Sequence, residues 1–201
     1  MHCSTANRVQ YWAGALRTYL DGFVNSDPSV ITAFAAHNRS GMAGILDLSI
    51  CRWNGHDIAE ADEDAIGVEL SALRSAVIPD VQRLENLLFN VADPDGGFLC
   101  PVCGCSGDFD GAAFDEAGGV IGCGICRCCL YEPGFDDDPA ASAEAKQTVY
   151  QSVNAYRDTW RGAGSPWRGM IDRLPRGWDA ERQLAHLFTV ASYLPVARGR
   201  I

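Results

Sequence analysis

LCPVCGCSG, residues 99–107, and ICRCCLYEPGFDDDP, residues 125–139, decide how the chain folds, because seven of its nine cysteines fall between positions 100 and 129. Clustered cysteines mean disulfides or metal. Disulfide frameworks belong to small secreted domains in oxidising compartments. The N-terminal MHCSTANRVQYWAG has none of the basic, apolar and small-residue regions of an export signal, and no run of about eighteen apolar residues follows it. Metal is therefore the expectation, in a protein kept in the cytoplasm.

A C-x2-C turn places two thiolates on one ion, and two such turns joined by a hairpin make a zinc ribbon with a four-sulfur tetrahedron. Cys100 and Cys103, with the proline and glycine of CPVCG, form the first turn. The second half holds more thiols than it needs, since Cys123, Cys126, Cys128 and Cys129 offer both Cys123-x2-Cys126 and Cys126-x2-Cys129. The expected ligands of a structural Zn²⁺ are Cys100, Cys103, Cys126 and Cys129, which makes C-x2-C-x22-C-x2-C, with Cys123 as the alternative. GGVIGCGI would then be the strand returning to the second turn. Cys105 and Cys128 are spare. A catalytic zinc keeps an open position and often uses His or carboxylate ligands, but no His lies between His56 and His186. An iron–sulfur cluster also takes four thiolates, although the proline–glycine turn points to zinc.

Outward from this region the pattern is helical. TANRVQYWAGALRTYLDGFV, residues 5–24, sets Val9, Trp12, Leu16, Tyr19, Leu20 and Phe23 on one stripe. Asp27 and Pro28 open a second helix as N-cap and first-turn proline. The stretch MAGILDLSICRWNGHD, residues 42–57, fits a buried helix or a strand, with helix preferred. From about Ala59 an acidic helix places Ile66, Leu70, Leu73 and Val77 on one face. Pro79 is expected to break it before DVQRLENLLFNVA resumes. DPDGG, residues 93–97, reads as the boundary between an acidic helical domain, 1–95, and a second domain, 96–201. Beyond the cysteines, Val149, Val153, Tyr156 and Trp160 mark a helix that Gly162 or Gly164 can stop, and Asp179 caps a last one. The expected fold class is α+β, mostly helical: an N-terminal helical bundle plus a small β zinc ribbon flanked by C-terminal helices.

The net charge of −10 is unevenly spread: residues 1–149 carry 22 carboxylates against 8 basic side chains, and residues 150–201 carry 4 against 8. An acidic body repels nucleic acid and attracts a basic partner. The candidate partner surface comprises Asp62, Glu63 and Asp64 with the run Asp136, Asp137 and Asp138; the same run also suits a solvated turn. Residues 156–184 interleave Trp160, Trp167 and Trp178 with arginines. They suit either a cover for the metal unit, which has little core of its own, or a recognition surface.

CPVCG, ICRCCLYEPGFDDDP and WRGAGSPWRGMIDRLPRGWDAERQL together resemble the small bacterial cysteine-rich CPCC zinc-ribbon proteins across about residues 98–186. The resemblance implies Cys100, Cys103, Cys126 and Cys129 as ligands, with Cys128 on the family's extra cysteine. The chain departs from the pattern at Arg127, where proline is common, at Leu130, where glycine or an aromatic is common, and in having Cys123. It further implies a role as an immunity protein beside a bacterial toxin. Three functions follow as expectations. The first is a non-enzymatic inhibitor of a cognate, basic toxin, such as a nuclease or nucleic-acid-modifying protein. The second is a zinc-ribbon regulator or adaptor acting on nucleic acid or transcription machinery. The third is an enzyme, a zinc hydrolase or thiol oxidoreductase, which ranks last for want of a His or carboxylate partner set.

Overall fold

The computed structural model describes residues 5–38, 48–109, 111–122, 124–137 and 148–194. Its described elements are five α-helices, short 3-10 turns and one two-stranded antiparallel sheet. The class is α+β and mostly helical, as expected. No helix among the described residues is long and apolar enough to cross a membrane. The chain divides into two compact units, Met1–Val81 and Gln82–Ile201.

In the first unit, α1 (Thr5–Val24) and α2 (Pro28–Asn38) form a helical pair. The Ser29 N–H donates to Asp27 Oδ1 at 2.9 Å, the expected cap. The helices approach closely at Gly22, where an added Cβ would lie 2.0 Å from a Val30 methyl. Tyr19, Val30, Phe34 and Val81 form the core, with the rings of Tyr19 and Phe34 packed edge to face at 5.3 Å. The predicted stripe of α1 is only partly inward. Trp12 and Tyr19 are buried, but Leu20 is 61% exposed.

Residues 42–47, the first part of the ambiguous apolar stretch, lie outside the described residues. The rest of that stretch is extended and then turns through a 3-10 segment, Arg52–Asn54, so the expected helix is absent there. The Asn54-Gly55 signal prevails, with Gly55 in the left-handed region at φ 78°.

α3 (Glu63–Leu87) runs uninterrupted through Pro79. An internal proline costs about 3 kcal/mol through one lost hydrogen bond and a steric clash. That cost is offset by burial that follows the proline, with Val81 in the first core and Phe89, just past the helix end, in the second.

The second unit contains the cysteines. β1 (Val91–Ala92) pairs with β2 (Phe98–Leu99) in the register Val91↔Leu99 and Ala92↔Phe98. DPDGG is therefore the turn of a hairpin inside this unit and not a linker. The Asp93 N–H donates to Gly97 O at 3.0 Å, and Gly96 and Gly97 supply positive φ. The physical signal for a turn was sound; its place in the chain's organisation differs, and residues 82–95 contribute Phe89 and Val91 to the second core. Among the described residues, the GGVIGCGI segment forms one bridge, Phe114↔Val120, and no strand. Asn90 clamps this loop by accepting from the Ala113 and Phe114 N–H groups and donating to Phe114 O. α4 (Val149–Gly162) begins at a Thr148–Gln151 capping box, and α5 (Ala180–Val190) begins at Asp179, whose carboxylate accepts from the N–H groups of Glu181 and Arg182. Val153, Trp160, Leu184 and Leu187 bury these helices against the cysteine region.

Candidate metal centre

The two C-x2-C segments adopt the same backbone turn. In the first, the Cys100 N–H donates to Cys105 O at 2.9 Å and the Gly104 N–H donates to Cys100 O at 2.8 Å. In the second, the Cys126 N–H donates to Tyr131 O at 2.9 Å and the Leu130 N–H donates to Cys126 O at 2.8 Å. Cys126 thus corresponds to Cys100, Cys129 to Cys103, and Leu130 to Gly104. Both residues of the last pair have positive φ, 78° for Gly104 and 66° for Leu130.

This equivalence brings Cys100, Cys103, Cys126 and Cys129 together, with all four sulfur atoms within 4.8 Å of one another and all four side chains buried. Cys100 Sγ lies 3.7 Å from Cys129 Sγ, and Cys103 Sγ lies 3.5 Å from Cys126 Sγ. A tetrahedron with metal–sulfur bonds of about 2.3 Å has sulfur–sulfur edges of about 3.8 Å. The spacing fits four thiolates around one ion, and it is far longer than a disulfide bond of about 2.05 Å. Cys123 lies outside the described residues, so the alternative pairing has no described geometry.

The thiols are electrostatically unequal without a metal. Burial pushes Cys100 and Cys103 well above the ordinary thiol range. Cys126 is held low by hydrogen bonds from the surrounding thiols of Cys100, Cys103 and Cys105. Cys105 is pushed up, chiefly by its bond to Cys126 and then by burial.

The C-terminal segment covers this centre. From α4, the buried Arg157 donates through Nε to Val102 O at 3.0 Å and through Nη2 to Pro101 O, and its guanidinium stacks on Phe188 at 5.5 Å. Tyr156 Oη donates to Cys129 O at 3.1 Å. Gln183 Nε2, from α5, donates to Cys103 O at 2.9 Å and approaches Cys128 Sγ at 3.5 Å. Between the helices, the Arg168 N–H donates to Cys128 O at 2.7 Å, and Gly169 lies so close that an added Cβ would sit 1.9 Å from Arg127 O. Trp160 is fully buried and its Nε1 donates to Pro166 O, while Trp167 and Trp178 pack edge to face at 5.6 Å. No protein-family model, curated protein or solved structure matches the chain.

The candidate partner surface fares unevenly. Asp62 and Asp64 are exposed and Glu63 is half-buried at the start of α3. Asp137 is a correction. It is fully buried, accepting from Tyr131 Oη and, at 2.6 Å, from the Gly134 N–H, so it cannot present its charge to a partner. Asp136 is half-buried and accepts from the Glu132 N–H at 2.8 Å. Asp138 lies outside the described residues. The sequence did not single out Asp108 or Gln183, whose contacts span 19 and 80 residues and leave no local pattern.

Proposed function

We propose that the chain is a non-enzymatic, protein-binding inhibitor, an immunity protein that neutralises a cognate bacterial toxin with a basic surface, and that the four-cysteine centre is the structural Zn²⁺ site of a ribbon. The observation that carries this reading is the closed donor set. Four buried sulfurs fill a tetrahedron and leave no coordination position for substrate, the pattern of structural zinc. The partner's chemistry follows from charge. Asp62 and Asp64 are exposed beside Glu60, and an acidic edge speeds encounter with a basic protein while competing with its phosphate-bearing substrate.

The test is capture of the zinc-loaded full chain's partner from the native host, followed by co-expression of that partner with and without this chain. Recovery of a stoichiometric basic protein whose toxicity the chain relieves is the expected result. Asp62→Lys with Asp64→Lys should then slow association about tenfold at low salt and flatten its salt dependence. Recovery of nucleic acid or polymerase components instead would favour the regulator or adaptor, for which the C-terminal region offers Arg168, Arg173, Arg176 and Arg182 as exposed cations.

A further inference from the structure

Beside the four-sulfur tetrahedron lies a second donor group that this site does not use. Cys105 Sγ, Cys126 Sγ and a carboxylate oxygen of Asp108 all lie within 4.8 Å of one another. Cys105 is 7% exposed, and the Asp108 side chain is 9% exposed. The Cys105 Sγ to Asp108 Oδ2 separation is 3.8 Å, already close to a tetrahedral edge. We propose that the centre is binuclear: a second thiophilic dication binds Cys105, Asp108 and the shared thiolate of Cys126, which bridges the two ions. This rests on the four-cysteine centre being a metal site, and it goes beyond that reading in ion count and ligands.

Three observations support it. First, Asp108 is oriented as a ligating carboxylate is. The Arg127 N–H donates to its Oδ2 at 2.7 Å and Arg127 Nε donates to its Oδ1 at 2.5 Å. A carboxylate has about four acceptor sites, so these bonds leave lone pairs for an ion, and such outer hydrogen bonds commonly fix a ligand's direction. Second, the charges match. Four thiolates of the first site, with Cys105 and Asp108, make six negative donors. Two dications together with the guanidiniums of Arg127 and Arg157, both hydrogen-bonded to the two turns or to Asp108, offset all six. With one ion, a nearly buried carboxylate faces an anionic tetrathiolate with only the arginines to balance it. Third, Ser106 and Gly107 beside the group are exposed, so water can reach the position that three protein donors leave open. The donor set, two sulfurs and one oxygen, suits zinc or another ion of similar softness better than calcium or magnesium.

The probe is ¹¹³Cd²⁺ added to the reduced, metal-free full chain, followed by native mass spectrometry and ¹¹³Cd NMR. Two ions per chain are expected, giving two resonances, one from an all-sulfur site and one from a mixed sulfur–oxygen site, split by coupling to each other through Cys126. Cys105→Ser and, separately, Asp108→Asn should lower the count from two to one and leave the all-sulfur resonance in place. Saturation at one ion, two resonances without mutual coupling, or two ions retained in both variants would each overturn the bridged site. Binding of no cadmium would overturn the metal centre itself, and with it the structural site of the proposed function. The wild-type coupling decides the matter even if a variant fails to fold.

Discussion

Leu130 occupies the left-handed region at φ 66° where the equivalent position of the first turn holds Gly104. A side chain there costs about 1–2 kcal/mol, and Leu130 is 43% exposed, so little burial offsets the strain. Leu130→Gly should raise the unfolding free energy by about 1 kcal/mol in denaturant titrations, after the entropy of the freed chain is subtracted. Gly104→Ala should do the opposite and by more. Its Cβ would meet Gln183 O at 2.7 Å and Leu187 Cβ at 2.8 Å in addition to the φ strain. Asp137 shows what a sequence cannot display at this scale. A run of three aspartates looks like a solvated turn, and only the fold reveals that one of them is enclosed with Tyr131. Burial raises its carboxyl pKa above the ordinary value. A group so shifted contributes stability that is fully present below the unfolded pKa and lost as pH rises through the folded one. Asp137→Asn should remove that slope from stability measured across the mildly acidic range. Asp137→Ala should lose about 2 kcal/mol by leaving the Tyr131 hydroxyl and Gly134 N–H without their acceptor.

At the scale of elements, the helices were legible where a cap or stripe was local. Asp27 and Asp179 act as caps, and α4 stops at Gly162. Legibility failed where tertiary anchors decide. Pro79 does not end α3, because Val81, two residues further on, is buried and holds the helix, and the DPDGG turn closes a hairpin whose partners only the core defines. The cysteine turns were legible because C-x2-C spacing is itself the geometry. What spacing could not choose was the register; among the described residues, matched hydrogen bonds make Cys126 the counterpart of Cys100. The Trp-bearing segment works chiefly as a cover, and α4 and α5 secure it through Arg157 and Gln183 on the carbonyls of the first turn. Hydrogen bonds beyond the ligands commonly tune metal affinity by about 10–100-fold. Arg157→Met and Gln183→Ala should each weaken retention of added zinc by a factor in that range, read by competition with a chromophoric chelator. Unchanged affinity with lowered thermal stability would reduce both residues to packing roles.

For the whole molecule, the two units should depend on metal to different degrees. Among the described residues of 82–201 the strands have only two residues each, and the core is built around Cys100, Cys103, Cys126 and Cys129, none with any measurable exposure. An ion held there would complete the core, because four thiols must otherwise be buried as protonated groups or as mutually repelling anions. A ligand that binds only the folded state adds about 4 kcal/mol at a thousandfold excess over its Kd, a large part of a small unit's total stability. The core of residues 1–81 uses Tyr19, Val30, Phe34 and Val81 and contains no ligand of the metal centre. Chelation under reducing conditions should therefore abolish hydrogen-exchange protection across residues 98–131, the amides of Gly104, Cys126 and Leu130 first among them. The amides of α1 and α2 should keep most of theirs. The requirement for deprotonated thiols sets the sign with pH: the chain should release metal, and with it this protection, as pH falls, and regain both on return to neutral pH with metal present. Retention of slow exchange at Gly104 and Leu130 in the metal-free chain would mean that the turns fold without an ion, and that the metal serves something other than structure.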